Sequence, residues 1–146
     1  MFMVRGRLAR RDLPILAEAV LFTVVVHVGL RCTRLQPLLA ALDRVPRTAA
    51  GIPADGVARV SRLAAGVSRR LSLDPTCLKS GLVAYALLRR RHVNVSLVIG
   101  GRPGAEPFEA HAWIEHEGRV LCGAPRDAEF QELWRAPRLR VQDTAP

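Results

Sequence analysis

Lysine is almost missing from this chain of 146 residues: 21 arginines and the single Lys79 supply all 22 basic side chains. With abundant alanine, proline and glycine, that skew reads as genome composition rather than as a binding signature. Cysteine is scarce and odd in number, and Cys32, Cys77 and Cys122 lie far apart without a Cys-x-x-Cys pair. The spacing excludes a disulfide framework, and with no signal-peptide pattern ahead of it the chain fits a reduced, cytoplasmic setting. The four histidines (His27, His92, His111 and His116) have no ligand spacing with these thiols, so no metal and no other cofactor is expected. Four Phe, two Trp and one Tyr are scattered along the sequence. Nucleic acid would find no stacking platform and no groove-reading motif, and is not an expected partner. Internal repeats and low-complexity runs are absent as well.

What is there describes one folded domain: 49% of the residues are hydrophobic and 24% charged, enough to bury a sizeable core. Within it we distinguish an N-terminal hydrophobic helical region, 1–45, from a core region, 46–146. The formal net charge of +9 gives a positive surface that attracts acidic peptides, partner proteins, anionic membranes or nucleic acid at long range.

The run LPILAEAVLFTVVVHVGL, Leu13 to Leu30, approaches the roughly 20 apolar residues that cross a bilayer. Glu18 and His27 interrupt it. Arg5, Arg7, Arg10 and Arg11 precede it and Arg31 and Arg34 follow, so the flanks set no orientation. It reads as a buried or membrane-touching helix in preference to a span. A short helix is expected over Leu35 to Leu42, ended near Pro46, then a Pro/Gly/Ala-rich loop to Gly56. Val57, Val60, Leu63, Ala64, Val67 and Leu71 recur at helical spacing, with Arg59, Arg62, Arg69 and Arg70 on the other faces. A further helix is expected to start at Asp74-Pro75, an acidic cap followed by a residue with no N–H to satisfy. It ends in Arg89-Arg90-Arg91, where the helix dipole favours cations.

Beyond that helix the period changes to two. Val93, Val95, Leu97 and Ile99 alternate as a strand. A turn over Gly100 to Gly104 leads to a second strand, Phe108 to His116, and Glu117-Gly118 makes a two-residue hairpin into a third, Arg119 to Cys122. A short helix is expected around Leu133-Trp134. Helices followed by an antiparallel sheet make the class α+β.

Two residues carry candidate chemistry. A thiol attacks acyl groups only as thiolate, and a helix N-terminus beside an imidazole stabilises that anion. Cys77 falls in the first turn of its helix. His111 shares one strand face with Trp113 and Glu115, while Phe108, Ala110, Ala112 and Ile114 share the other and suit the core. If the cysteine helix packs across the His111 face, His111 takes the Cys77 proton and later returns one to a leaving amine. Backbone N–H groups around Cys77 would hold the oxyanion. A buried small cysteine and a structural strand histidine are the ordinary alternatives.

The blocks Cys77-Leu78-Lys79-Ser80, Leu87-Leu88-Arg89-Arg90-Arg91, Val95 to Gly100, Ala110-His111-Ala112-Trp113-Ile114-Glu115 and Gly118-Arg119-Val120-Leu121 resemble the transglutaminase-like cysteine peptidases of lasso-peptide biosynthesis. The resemblance is to the stand-alone protease half of the split leader peptidase, and covers most of the chain. It implies a papain/transglutaminase-like α+β fold, and an enzyme that removes the leader from a ribosomally made precursor before ring closure. Cys77 would be the nucleophile and His111 the base. The implied partners are the precursor peptide, a small leader-recognition protein and an ATP-dependent macrocyclase. A small pocket for a threonine at the penultimate leader position is implied too. The expected location is the cytoplasm, with peripheral membrane contact through residues 13–30.

The family's third catalytic residue is usually an aspartate twelve residues after the histidine, where this chain has Gly123. From the hairpin, His111 is expected opposite Ala124, and Cys122 opposite Trp113 on the His111 face. No carboxylate lies there. Asp127 is the first candidate to replace it, with Glu115 second. Trp113 is a candidate to shield His111 or to contact substrate. Two other functions stay open: acyl transfer to an amine through the same thioester, and a non-catalytic, arginine-rich scaffold that holds the precursor.

Overall fold

A helix with no polar face has to be surrounded, and every residue from Gly81 to Leu88 is buried. The structure, a computed structural model, describes residues 10–49, 51–123 and 130–137. It contains helices α1 (Leu13–Cys32), α2 (Leu35–Asp43), α3 (Ala54–Leu71) and α4 (Cys77–Arg90), then strands β1 (Ser96–Gly101), β2 (Ala110–His116), β3 (Arg119–Cys122) and β4 (Gln131–Ala136). The α4 helix is the centre, with α1, α2 and α3 around it and β1 and β2 against its remaining side. Phe22 and Val26 of α1, Leu38 and Leu42 of α2, and Val60 and Ala64 of α3 share one core with Leu82, Leu87, Leu97, Ala112 and Ile114. Tyr85 is the polar exception inside it. Its hydroxyl donates to Asp43 at 2.9 Å, and burial together with that carboxylate raises its pKa and keeps it protonated.

By length and composition α1 could cross a membrane. One of its sides is instead packed on α3 and α4, and the two acids of this segment point inward. Asp12, in the 3-10 turn Arg10–Asp12 before α1, accepts from Arg59 Nε at 3.0 Å and from a terminal nitrogen at 2.5 Å. Glu18 pairs with Arg91 at 2.9 Å and Arg90 at 3.5 Å.

The α4 helix starts two residues later than the Asp74-Pro75 signal. Thr76 is extended, and its Oγ1 accepts from the Lys79 N–H at 3.2 Å, making Thr76 the cap and Cys77 the first helical residue. Asp74 serves the same turn differently, its carbonyl accepting from Lys79 Nζ at 2.6 Å.

The four strands are antiparallel in the order β3-β2-β1-β4. Glu117 and Gly118 turn the β2–β3 hairpin with φ of 48° and 74°, as a tight two-residue turn requires. Three expectations fail here. Leu133 and Trp134 lie in β4, not in a helix, because Gln131–Ala136 pairs with the open edge of β1. Phe108 and Ala110 are exposed, not core, since pairing begins only at Ala110. Cys122 pairs with Ile114, not Trp113, because the β2–β3 register shifts between Ile114 and Glu115. That shift turns Cys122 to the helix side of the sheet.

Candidate active site

The α4 helix packs on the Ala112 and Ile114 side of β2, not across the His111 face as the sequence reading supposed. Cys77 and His111 line one cleft nonetheless. The end of the sheet where β2 begins and β3 stops lies beside the start of α4, and a cleft of about 320 Å3 opens there. It is lined by Cys77 and Ser80 of α4, Ala65 and Arg69 of α3, His111 of β2, and Gly123 just past β3. No direct hydrogen bond joins Cys77 to His111, and the thiol is free. The helix cannot satisfy the N–H groups of Cys77 and Leu78 within itself, whereas those of Lys79 and Ser80 are taken by Thr76. The first two are therefore donors beside the sulfur.

His111 is held by a group that no side-chain reading could name. Its Nε2 lies 2.6 Å from the carbonyl oxygen of Gly123. A carbonyl only accepts, so Nε2 carries the proton, and in the neutral ring the lone pair is on Nδ1. Gly123 is required for this approach. Its φ is +74°, and a Cβ there would lie 2.7 Å from the Ala112 oxygen and 3.2 Å from Trp113 Cα. The position where the resembling family keeps an aspartate thus offers its backbone instead. Asp127 lies outside the described residues.

The Trp113 ring stacks beside His111, centroids 6.4 Å apart at 23°, over Gly100, where a Cβ would meet the ring at 2.6 Å. Glu115 is committed to that ring and away from His111: its carboxylate accepts from Trp113 Nε1 at 2.7 Å and from Arg135 at 2.7 Å. Arg135 also bonds Glu132 at 2.7 and 3.0 Å, and this hydrogen bonding holds Glu132 below the usual carboxylate range. The Phe130 ring also packs on His111, with centroids 5.6 Å apart at 50°, and Arg102 lies over that ring. Phe130, Glu132 and Arg135 went unseen in the sequence because β4 was read as a helix.

Two polar groups of the cleft are uncommitted among the described residues. Ser80 is 7% exposed and its hydroxyl has no partner. Arg69 adds a positive charge at the rim. Cys122 is a different kind of cysteine: burial raises its pKa more than the neighbouring Ser61 and Arg69 lower it. Iodoacetamide at neutral pH is expected to modify Cys122 last of the three cysteines, as followed by peptide mass spectrometry. Prompt labelling of Cys122 would contradict its packing against α3.

An α+β domain in which the start of a buried helix and the end of a small antiparallel sheet bring a cysteine and a histidine to one cleft has the papain/transglutaminase-like layout. The chain belongs to the transglutaminase-like superfamily, whose family model matches residues 20–135. No curated protein and no solved structure matches it. The superfamily includes cysteine peptidases and acyltransferases, and both chemistries pass through a thioester on the cysteine.

Proposed function

We propose that this protein is a cysteine peptidase that removes the leader from a ribosomally made precursor peptide of the lasso type. The observation that carries the reading is the placement of Cys77 and a tautomerically fixed His111 on one cleft. His111 Nδ1 takes the Cys77 proton as sulfur attacks the scissile carbonyl. The Cys77 and Leu78 N–H groups receive the oxyanion, and the imidazolium returns its proton to the leaving amine. Water, deprotonated by the same nitrogen, then hydrolyses the thioester. Trp113 and Phe130, both in ring contact with His111, shield it from solvent.

The small walls of the cleft suit a small residue before the scissile bond. Ala65 leaves room, and the unpartnered Ser80 hydroxyl offers a bond to a threonine hydroxyl. A leader-recognition protein would deliver the precursor, and an ATP-dependent cyclase would use the exposed core. The cytoplasm is the proposed compartment.

The test is mass spectrometry of precursor incubated with the protein and its recognition partner, with and without an added primary amine. One cut at the leader–core bond, with water as acceptor, is the expected result. A leader carrying the amine would assign acyl transfer instead, and an intact precursor that stays bound would assign a scaffold.

A further inference from the structure

The α1 helix turns a continuous aliphatic row to solvent. Leu13, Val20, Leu21, Val24, Val25 and Val28 are exposed, and Leu13, Leu21, Val24 and Val28 by more than half. Ala17, also exposed, joins Leu13 to the rest at intervals of three and four residues, which places them on one side of the helix. A helix of 20 residues is about 30 Å long, and the row runs nearly its whole length. Single exposed aliphatics are ordinary on a soluble domain; a contiguous row of this length marks a surface that is covered by something.

The charges around the row are all of one sign. Arg10 stands three residues before Leu13 and Arg31 three residues after Val28, so a guanidinium ends the row at each side. Arg10, Arg11, Arg31 and Arg34 are all exposed. The acids of the segment are turned away, Asp12 to Arg59 and Glu18 to Arg90 and Arg91. No polar group interrupts the row to fix a protein partner's register, and its one aromatic neighbour, Phe22, is buried. Protein interfaces use aromatic anchors and about one hydrogen bond per 100–200 Å2. A fluid anionic surface asks only for aliphatic insertion and cations at the phosphate level, to which arginine side chains reach out.

We propose that α1 lies in the plane of an anionic membrane, its aliphatic row in the acyl boundary and its terminal arginines at the phosphates, with the domain folded above it. The net charge of +9 draws the protein to such a surface. The inference is independent of the peptidase reading.

Flotation of the full chain with phosphatidylcholine vesicles, with and without phosphatidylglycerol, tests it. The protein is expected to float with the anionic vesicles and hardly at all with the neutral ones. Leu21→Glu combined with Val24→Glu should abolish flotation. Arg10→Gln combined with Arg31→Gln should weaken it roughly ten- to thirtyfold, each arginine near an anionic surface being worth about fivefold. All four sites are exposed, so unchanged thermal unfolding of both variants excludes misfolding. Failure to float with anionic vesicles, or flotation indifferent to the glutamates, overturns the proposal. So does a lipid-free dimer that the glutamates dissolve, since the row would then belong to a second copy of the chain.

Discussion

Cys77→Ala is expected to leave the precursor uncut while the protein folds and binds as before, with turnover lower by roughly 10⁴-fold or more. The size of the effect follows from what the side chain does. In the proposed mechanism sulfur forms the bond to the scissile carbonyl, and neither His111 nor the N–H donors of the α4 start can substitute for it. The specificity of the effect follows from where the side chain sits. Cys77 is the first residue of α4 and only half-buried at the cleft, so its removal leaves no closed cavity and keeps the Thr76 cap intact. The melting temperature should move by no more than a few degrees, since a domain of this size shifts by about 2–8 °C per kcal/mol. Cleavage assays and thermal unfolding on the same preparation separate the two quantities. Equal cleavage by wild type and variant would assign the activity to another group and remove the thioester from the mechanism.

Much of this fold was legible because the informative residues act locally. Glu117-Gly118 demands positive φ at both positions, and both adopt it. The helical spacing of Val57, Val60, Leu63, Ala64, Val67 and Leu71 predicts a helix, and α3 spans Ala54–Leu71. What was illegible depends on partners distant in sequence. Gln131–Ala136 is rich in helix formers, and it is a strand because β1 offers an unpaired edge. The sequence puts the cap at Asp74, but Thr76 is also of a type that caps helices, and its extended backbone makes it the cap.

The one-residue register shift beside Glu115 is the most consequential of these failures. Strand faces alternate with a period of two, so a single bulge carried Cys122 from the His111 side to the helix side. Around His111 the side-chain pattern was read correctly as far as it went. His111 stacks with Trp113, and Trp113 bonds Glu115, as residues on one face do. A partner for His111 was sought among carboxylates and amides; among the described residues its hydrogen-bond partner is a main-chain oxygen, for which the one sequence signal is the glycine itself.

That glycine supports the second large prediction. Gly123→Asp places a carboxylate where the resembling family has one, and it is expected to damage the protein rather than improve it. The obstacle lies at Cβ, before any carboxylate is reached: Ala112 O at 2.7 Å and Trp113 Cα at 3.2 Å are backbone atoms that cannot swing aside. A φ of +74° adds the strain of a left-handed conformation in a residue with a side chain. Together these should cost about 2 kcal/mol or more. The segment would relieve the clash by moving its carbonyl away from His111 Nε2, so the ring loses the bond that fixes its tautomer. Turnover should fall roughly a hundredfold or more, within the upper limit of about 10⁴-fold for a lost histidine orienter. Gly123→Ala, which shares the Cβ and lacks the carboxylate, should fall as far. Nitrogen-15 NMR of His111 should show the proton on Nε2 in the wild type and a mixed population in both variants. If Gly123→Asp instead exceeds the wild type while Gly123→Ala loses activity, a carboxylate can reach the ring and the carbonyl is not its orienter. If both decline together, the chain holds its histidine by main chain, and the aspartate of the resembling family is replaced here by a peptide group.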